Sequence, residues 1–151
     1  MKRLEVGPAE LGVLAGMLRR MDFFAPLTVG QLDRVLPHVM LCRCETGETV
    51  FRKGSPGDAF YVVYQGKVAV KLPRLLVLSR TVATLGPGEF FGESALLSAE
   101  PRNATVTALE PTLLFTLIAE DFQFVLSENP AAAEEMRRIA AQRKFVSAHA
   151  T

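Results

Sequence analysis

Residues 90–105 read F-F-G-E-S-A-L-L-S-A-E-P-R-N-A-T. Gly92 has no Cβ, so it reaches backbone angles closed to other residues and lets a ligand approach the main chain. Ser94-Ala95-Leu96-Leu97 is long enough for about one helical turn. The first N–H groups of such a turn lack internal partners and carry the positive end of the helix dipole, an arrangement that attracts phosphate. Pro101 biases Glu100 toward extended geometry, which ends the helix and predicts a strand bearing Arg102. Arg102 then faces the same anion with a planar fork that fits two phosphate oxygens. Glu93 has the wrong sign for phosphate, but its carboxylate suits a sugar hydroxyl, the role an acidic residue plays for ribose in dinucleotide sites. One Arg, one helix start and one acidic sugar acceptor fit a nucleotide carrying a single phosphate charge.

Around this stretch the chain has a β rhythm. Short runs rich in β-branched and aromatic residues alternate with Gly-bearing turns: Val39 to Cys44, Thr49 to Arg52, Ala59 to Gln65, Lys67 to Leu72, Thr81 to Leu85, Asn103 to Ala108 and Thr112 to Ile118. Gly54-Ser55-Pro56-Gly57-Asp58 is the strongest turn signal among them. The pattern predicts an antiparallel barrel or roll over residues 39–118. Phe60, Tyr61 and the valines after them alternate between two faces and are read as core. Leu75 to Leu78 would expose apolar side chains if the turn falls there, a sign of a partner surface, or would lie inside extended strands if the turn is shifted.

Helices flank the roll. In the N-terminal segment, residues 1–38, Pro8 to Arg20 places Leu11, Leu14, Ala15 and Leu18 on one face. Phe23-Phe24 forms a hydrophobic plug, and Thr28 caps a second helix to about Val35. In the C-terminal segment, residues 119–151, Glu120 to Leu126 turns Phe122, Val125 and Leu126 inward. Asn129-Pro130 then opens a last helix that runs to about Val146, with Glu134 and Arg138 at i, i+4 spacing. Met136, Ile139, Ala140, Arg143 and Val146 share a face of that helix, so Arg143 interrupts an apolar stripe with a planar cation suited to stacking on a purine.

Phe91-Gly92-Glu93, Ala95-Leu96 and Pro101-Arg102 with Ala104-Thr105 resemble the phosphate-binding cassette of the cyclic nucleotide-binding domains. These occur in catabolite activator-type regulators, cAMP-dependent kinase regulatory subunits and cyclic nucleotide-gated channels. The resemblance runs from about Phe23 to Phe145 and is strongest in look to bacterial cyclic nucleotide-gated potassium channels. It implies an α+β fold: an antiparallel β-roll (a jelly-roll-like double-stranded β-helix) between N-terminal helices and two C-terminal helices, the last acting as a lid. It further implies that Glu93 binds the ribose 2′-hydroxyl and Arg102 the cyclic phosphate. Phe91, Gly92, Ser94, Ala95, Asn103 and Ala104 complete the cassette, and Arg143 covers the base. Ser94 departs from the aliphatic residue commonest at its position. Asn103 stands where cGMP-preferring relatives often carry Thr or Ser, which leans the reading to cAMP. The implied activity is a non-catalytic sensor that signals by movement of its flanking helices, through a protein partner or a homodimer. The alternative contexts are a channel's ligand-binding domain and a catabolite activator-type regulator lacking its DNA-binding part.

Composition narrows the rest. The chain has 151 residues, 49% hydrophobic and 22% charged, with 17 basic and 16 acidic side chains and a net charge of +1. That balance gives no bulk electrostatic case for nucleic acid or an anionic membrane. Leu11 to Leu18 is far too short to span a bilayer, and Glu5, Glu10 and Arg19-Arg20 argue against a signal peptide, so the chain reads as cytoplasmic with no membrane insertion. Cys42 and Cys44 lack a second cluster and read as free thiols. His38 and His149, the two histidines, lie in segments far apart. A cupin-like metal enzyme, the nearest enzymatic barrel, therefore has no ligand set to build on, and neither a metal nor a cofactor is expected.

Overall fold

The computed structural model describes residues 1–20, 25–74 and 78–149. In chain order the elements are β1 (Lys2–Leu4), α1 (Pro8–Arg19), α2 (Val29–Val35) with a 3₁₀ turn at Leu36–His38, β2 (Met40–Cys44), β3 (Thr49–Phe51), β4 (Ala59–Gln65) and β5 (Val68–Arg74). They continue with β6 (Leu78–Leu85), β7 (Phe90–Phe91), α3 (Glu93–Ser98), β8 (Thr105–Ala108), β9 (Thr112–Ile118), α4 (Ala119–Glu128) and α5 (Pro130–His149). The strands pair antiparallel in two sheets, ordered β1-β2-β9-β4-β7 and β3-β8-β5-β6, which is the expected β-roll.

Strand β4 shows why the roll sits where it does. Phe60 and Val62 turn outward to the helices, whereas Tyr61 and Val63 turn into the roll interior. Across the ladder, Leu117 lies opposite Phe60 and Phe115 opposite Val62, so β9 extends the helix-facing surface. A sheet buried on both faces selects apolar residues at nearly every position, which is why Ala59 to Tyr64 reads as one hydrophobic run. The helices cover this sheet with Leu14, Leu18, Leu32, Val35, Phe122, Val125 and Met136. Each large side chain fully buried there contributes about 2–3 kcal/mol.

The helix ends follow their sequence signals. Thr28 Oγ1 accepts from the Gln31 amide at 3.1 Å, and the Gln31 side chain accepts from the Thr28 amide at 3.0 Å, a complete capping box. Asn129 Oδ1 accepts from the Ala132 amide at 3.1 Å, while its Nδ2 donates to the Pro26 carbonyl at 2.8 Å and to Gln31 Oε1 at 3.1 Å. The start of α5 is thereby tied to the N-terminal helices.

Several expectations are corrected. Arg102 lies in the loop before β8, not on a strand. Helix α3 ends with Ala99 in the left-handed region, φ 56°, ahead of the Pro101 signal. Helix α5 continues to His149, beyond Val146. Two strands had no signal: β1 carries Lys2 and Arg3 on an exposed edge, and β7 is only two residues long. Strands β5 and β6 extend beyond their expected ends, until Arg74 pairs with Leu78. The Phe23-Phe24 plug and the Leu75 to Val77 part of the apolar surface lie outside the described residues.

Candidate functional site

The open end of the roll holds a cavity of about 240 Å³ between β5, β6, α3, the loop before β8 and α5. Phe91, Gly92, Glu93, Ser94, Ala95, Arg102, Asn103, Ala104 and Arg143, the residues singled out from the sequence, all line it. Distant parts of the chain are brought to one place by the β4–β7 pairing, which delivers Phe91 and Gly92 beside Tyr61, and by the return of α5 over α3.

Gly92 is the backbone pivot. It caps α3 with φ 91°, and a Cβ placed there would stand 3.1 Å from Arg102 Nη1 and 3.2 Å from the Ala59 carbonyl oxygen. The angle strains any other residue, and the space is tight for a side chain. Gly57 allows a second close approach, since a Cβ on it would come within 2.7 Å of the Ala95 Cβ. That contact seats the loop before β4 against α3.

Arg102 is buried at the base of the cavity, its side chain only 1% exposed. Nη1 donates to the Gly92 carbonyl at 2.7 Å, and Nη2 donates to the Ala59 carbonyl at 2.8 Å and to Asp58 Oδ1 at 3.2 Å. The guanidinium rests on Phe51, its Cζ 4.1 Å from the ring centroid. Phe51 in turn packs with Tyr61 and Phe91, which stack on each other at 5.1 Å. Nε is buried and has no hydrogen-bond partner among the described residues. Asp58, the countercharge, is 79% exposed at its side chain, so water weakens its claim on the cation. Arg102 lines the cavity, and a buried guanidinium whose countercharge is screened by water has the chemistry to take an anion.

Glu93 opens α3 and is fully buried. Both of its carboxylate oxygens accept from Arg143 Nη1, at 2.9 and 3.0 Å. The Arg143 guanidinium also lies over Phe90, Cζ 4.5 Å from the ring centroid. Arg143 therefore interrupts the apolar stripe of α5 to reach a carboxylate and an aromatic face of the protein itself. Sequence reasoning passed over Phe51, Asp58, Gly57 and Phe90 as site residues, because an aromatic in a strand or an Asp in a turn signals structure first. The apolar wall of Val70, Val82, Leu85 and Val106 was legible only as strand.

The profile described as the cyclic nucleotide-binding domain matches residues 41–129. The chain belongs to the cyclic nucleotide-binding domain family. It is 41% identical over 104 residues to a cyclic nucleotide-gated potassium channel of Mesorhizobium japonicum, covering 69% of this chain and 27% of the channel. It is 34% identical over 120 residues to the cyclic AMP receptor protein of Thermus thermophilus, covering 80% of this chain and 56% of that protein. Among solved structures it is similar to the regulatory domain of Toxoplasma gondii PKA crystallised with cAMP, with a TM-score of 0.78 and 29% identity over 86% of this chain and 49% of that one. As a cyclic nucleotide-binding domain the chain thus spans between about a quarter and just over half of these curated relatives. Cys42 and Cys44 are both free and buried, and burial pushes the Cys44 thiol up to about 11. Among the described residues no cluster of metal-ligating side chains occurs, and no helix is long and apolar enough to cross a membrane.

Proposed function

We propose that this domain is a non-catalytic sensor of cAMP, with the cavity as its ligand site and α5 as its moving part. The observation that carries the reading is Arg102, a buried cation that lines the cavity, held there by the carbonyls of Gly92 and Ala59, with a countercharge, Asp58, largely exposed to water. In this reading the cyclic phosphate meets Arg102 and the amides at the start of α3, and Glu93 accepts from the ribose 2′-hydroxyl. The base lies along Val70, Val82, Ala83 and Leu85 beneath Gln142 and Arg143. The cavity offers groups that bind and orient, and among the described residues no histidine lines it. That composition supports a binding role over a catalytic one, without metal or cofactor.

The choice of cAMP is supported by the Thermus and Toxoplasma relatives named with it, and by Asn103 at the cavity rim, an amide in place of the hydroxyl residue of cGMP-preferring relatives. The sensor acts in the cytoplasm and passes its signal to a protein partner or a second copy. Its share of the channel and receptor relatives also fits a second context, the ligand-binding part of a channel or of a catabolite activator-type regulator. A thermal-shift panel of cAMP, cGMP, cyclic dinucleotides and AMP tests the reading. A ligand at a hundred times its dissociation constant adds about 2.7 kcal/mol of stability. Stabilisation by cAMP ahead of the others is expected, and none by either cyclic mononucleotide would overturn it.

A further inference from the structure

Phe51 reaches the cavity because β3 carries one residue more than the strand it pairs with. Thr49 lies opposite Thr107 but Phe51 lies opposite Val106, so two steps along β3 match one step along β8. A bulge of this kind re-aims a side chain. Opposite residues share a face of a sheet, and Val106 is buried in the roll interior. Phe51 takes the same face, and both side chains line the cavity. In an unbroken register Val50 would stand opposite Val106 in its place.

The ring so placed meets the Arg102 guanidinium, with Cζ 4.1 Å from the ring centroid. It is itself wedged in position, since Tyr61 and Phe91, stacked on each other, meet it at 6.0 and 5.9 Å. The carbonyls of Gly92 and Ala59 fix two nitrogens of the guanidinium, at 2.7 and 2.8 Å, but leave its plane free to tilt about the line that joins them. Asp58, at 3.2 Å and largely exposed, draws that plane toward water. Among the described contacts, the ring face is the one that opposes this tilt. An aromatic face also differs in kind from a carboxylate: its quadrupole stabilises a cation without cancelling the charge, so the positive field stays available to a ligand.

We propose that Phe51 is a positioning residue for anion binding: its ring face holds the Arg102 guanidinium in the tilt that meets the ligand phosphate, charged and not neutralised, before the ligand arrives. This rests on the phosphate reading of Arg102 proposed above. The physical reason is preorganisation. Without the ring, the guanidinium of the empty site follows Asp58 toward water, and part of the binding free energy goes into bringing it back. A ring that only stabilised the cation would act differently. Pairing with phosphate weakens the attraction between cation and ring, so removing that attraction would then leave affinity unchanged or raise it.

The test measures cAMP binding by calorimetry on the wild type, on Phe51→Leu, and on proteins whose Phe51 ring carries one, two or three fluorines. Fluorine drains the negative ring face while nearly keeping the shape of the side chain, so a role in packing alone would not respond to it. Phe51→Leu is expected to weaken cAMP binding about five- to thirtyfold, the range for a desolvated contact between a cation and a ring. The fluorinated series should weaken it stepwise toward the same limit. The series also decides the matter if Phe51→Leu fails to fold, because its members retain the packing of the native ring. Arg102→Ala, measured alongside, separates the two readings. If Arg102→Ala loses binding and the fluorinated series is flat, or binds more tightly with each fluorine, the role of Phe51 is overturned and the phosphate reading stands. If Arg102→Ala binds cAMP as tightly as the wild type, the phosphate reading is overturned, and this inference with it.

Discussion

Arg102 donates to the carbonyl of Gly92 at 2.7 Å, so the cation assigned to the phosphate is also a structural tie between the loop before β8 and the cap of α3. The same residue accepts from the Gly54 amide and donates its own amide to the Ser55 carbonyl, both at 2.8 Å, which fastens the turn before β4 to that loop. The proposed anion site and the local fold therefore share one residue, through its side chain and its backbone.

Arg102→Ala is expected to weaken cAMP binding by about 2–5 kcal/mol, the loss of a buried charge partner. It will also destabilise the fold, because the Gly92 and Ala59 carbonyls lose their donors and the Phe51 ring loses its cover. An unfolding cost of about 2–3 kcal/mol follows. An Arg on a strand facing only the ligand would have left stability almost untouched. Chemical denaturation of the ligand-free variant separates the two: wild-type stability would remove the structural role, and unchanged affinity would remove the site.

Gly57→Ala tests whether the fit of the turn against α3 matters. The added methyl would meet the Ala95 Cβ at 2.7 Å and the Ala95 carbonyl carbon at 3.1 Å, a clash with backbone that a rotamer change cannot relieve. Overpacking of this kind costs about 1–3 kcal/mol. Because the displaced partner is α3, cAMP affinity should fall as well. A variant as stable as the wild type would mean that the loop moves freely away from the cassette.

Much of this was legible in the sequence. The turn residues and apolar runs outlined the roll, and Gly92, Glu93 and Arg102, singled out by the family resemblance, line one cavity. What stayed hidden depends on tertiary contact. Strand β1 exists because Lys2 to Leu4 pair with Leu41 to Arg43, and nothing in a charged tripeptide signals that partner. Asp58 and Phe51 become site residues only when the roll folds them around Arg102. For Arg143 the stripe located the residue on the right face of α5, but its hydrogen-bond partner, Glu93, lies 50 positions away in the chain.

Alkaline pH should reveal the buried thiol. Desolvation raises the Cys44 thiol from 9.0 to about 11, with Glu48's charge adding to the effect. Between those values the unfolded chain has released its proton while the folded one retains it, so stability falls as pH rises from about 9 to 11. Each pH unit corresponds to at most about 1.4 kcal/mol, and to less where water screens the thiolate. Cys44→Ala should flatten this part of the curve, measured as urea midpoints across the range. A slope identical in both proteins would show that the thiol does not titrate there.

Truncation distinguishes the core half of α5 from its lid half. Ala132, Ala133 and Met136 are buried in the helix-facing core. A chain ended at Asn129 loses them and should unfold or melt far lower, so any loss of binding would be uninformative. Ending the chain at Ala140 keeps these residues and removes Gln142 and Arg143 from the cavity. This shorter chain should stay folded and bind cAMP more weakly by about 0.5–2 kcal/mol, the range for a stacked or covering cation. Unaltered affinity would mean that α5 does not close the site.

The same division predicts where ligand changes the dynamics. Local opening is cheapest where few apolar contacts hold a segment, and α5 has an uneven distribution of them. Its first turns are locked by the Asn129 bonds to Pro26 and Gln31 and by Met136 in the core. Farther along, the hydrogen bond and the ring contact described between α5 and this part of the chain are those of Arg143 with Glu93 and Phe90, and the Arg143 side chain is partly exposed. On the proposed reading, cAMP adds contacts at this second half, where Gln142 and Arg143 line the cavity, and none at the first. Hydrogen exchange followed with and without cAMP should show amides 130–139 equally protected in both states and amides from 140 onward slowed by ligand. Protection gained along the whole helix would indicate rigid docking of α5 as one body, and no gain anywhere beyond 130 would remove the lid from the mechanism even if Arg102 and Glu93 hold the nucleotide.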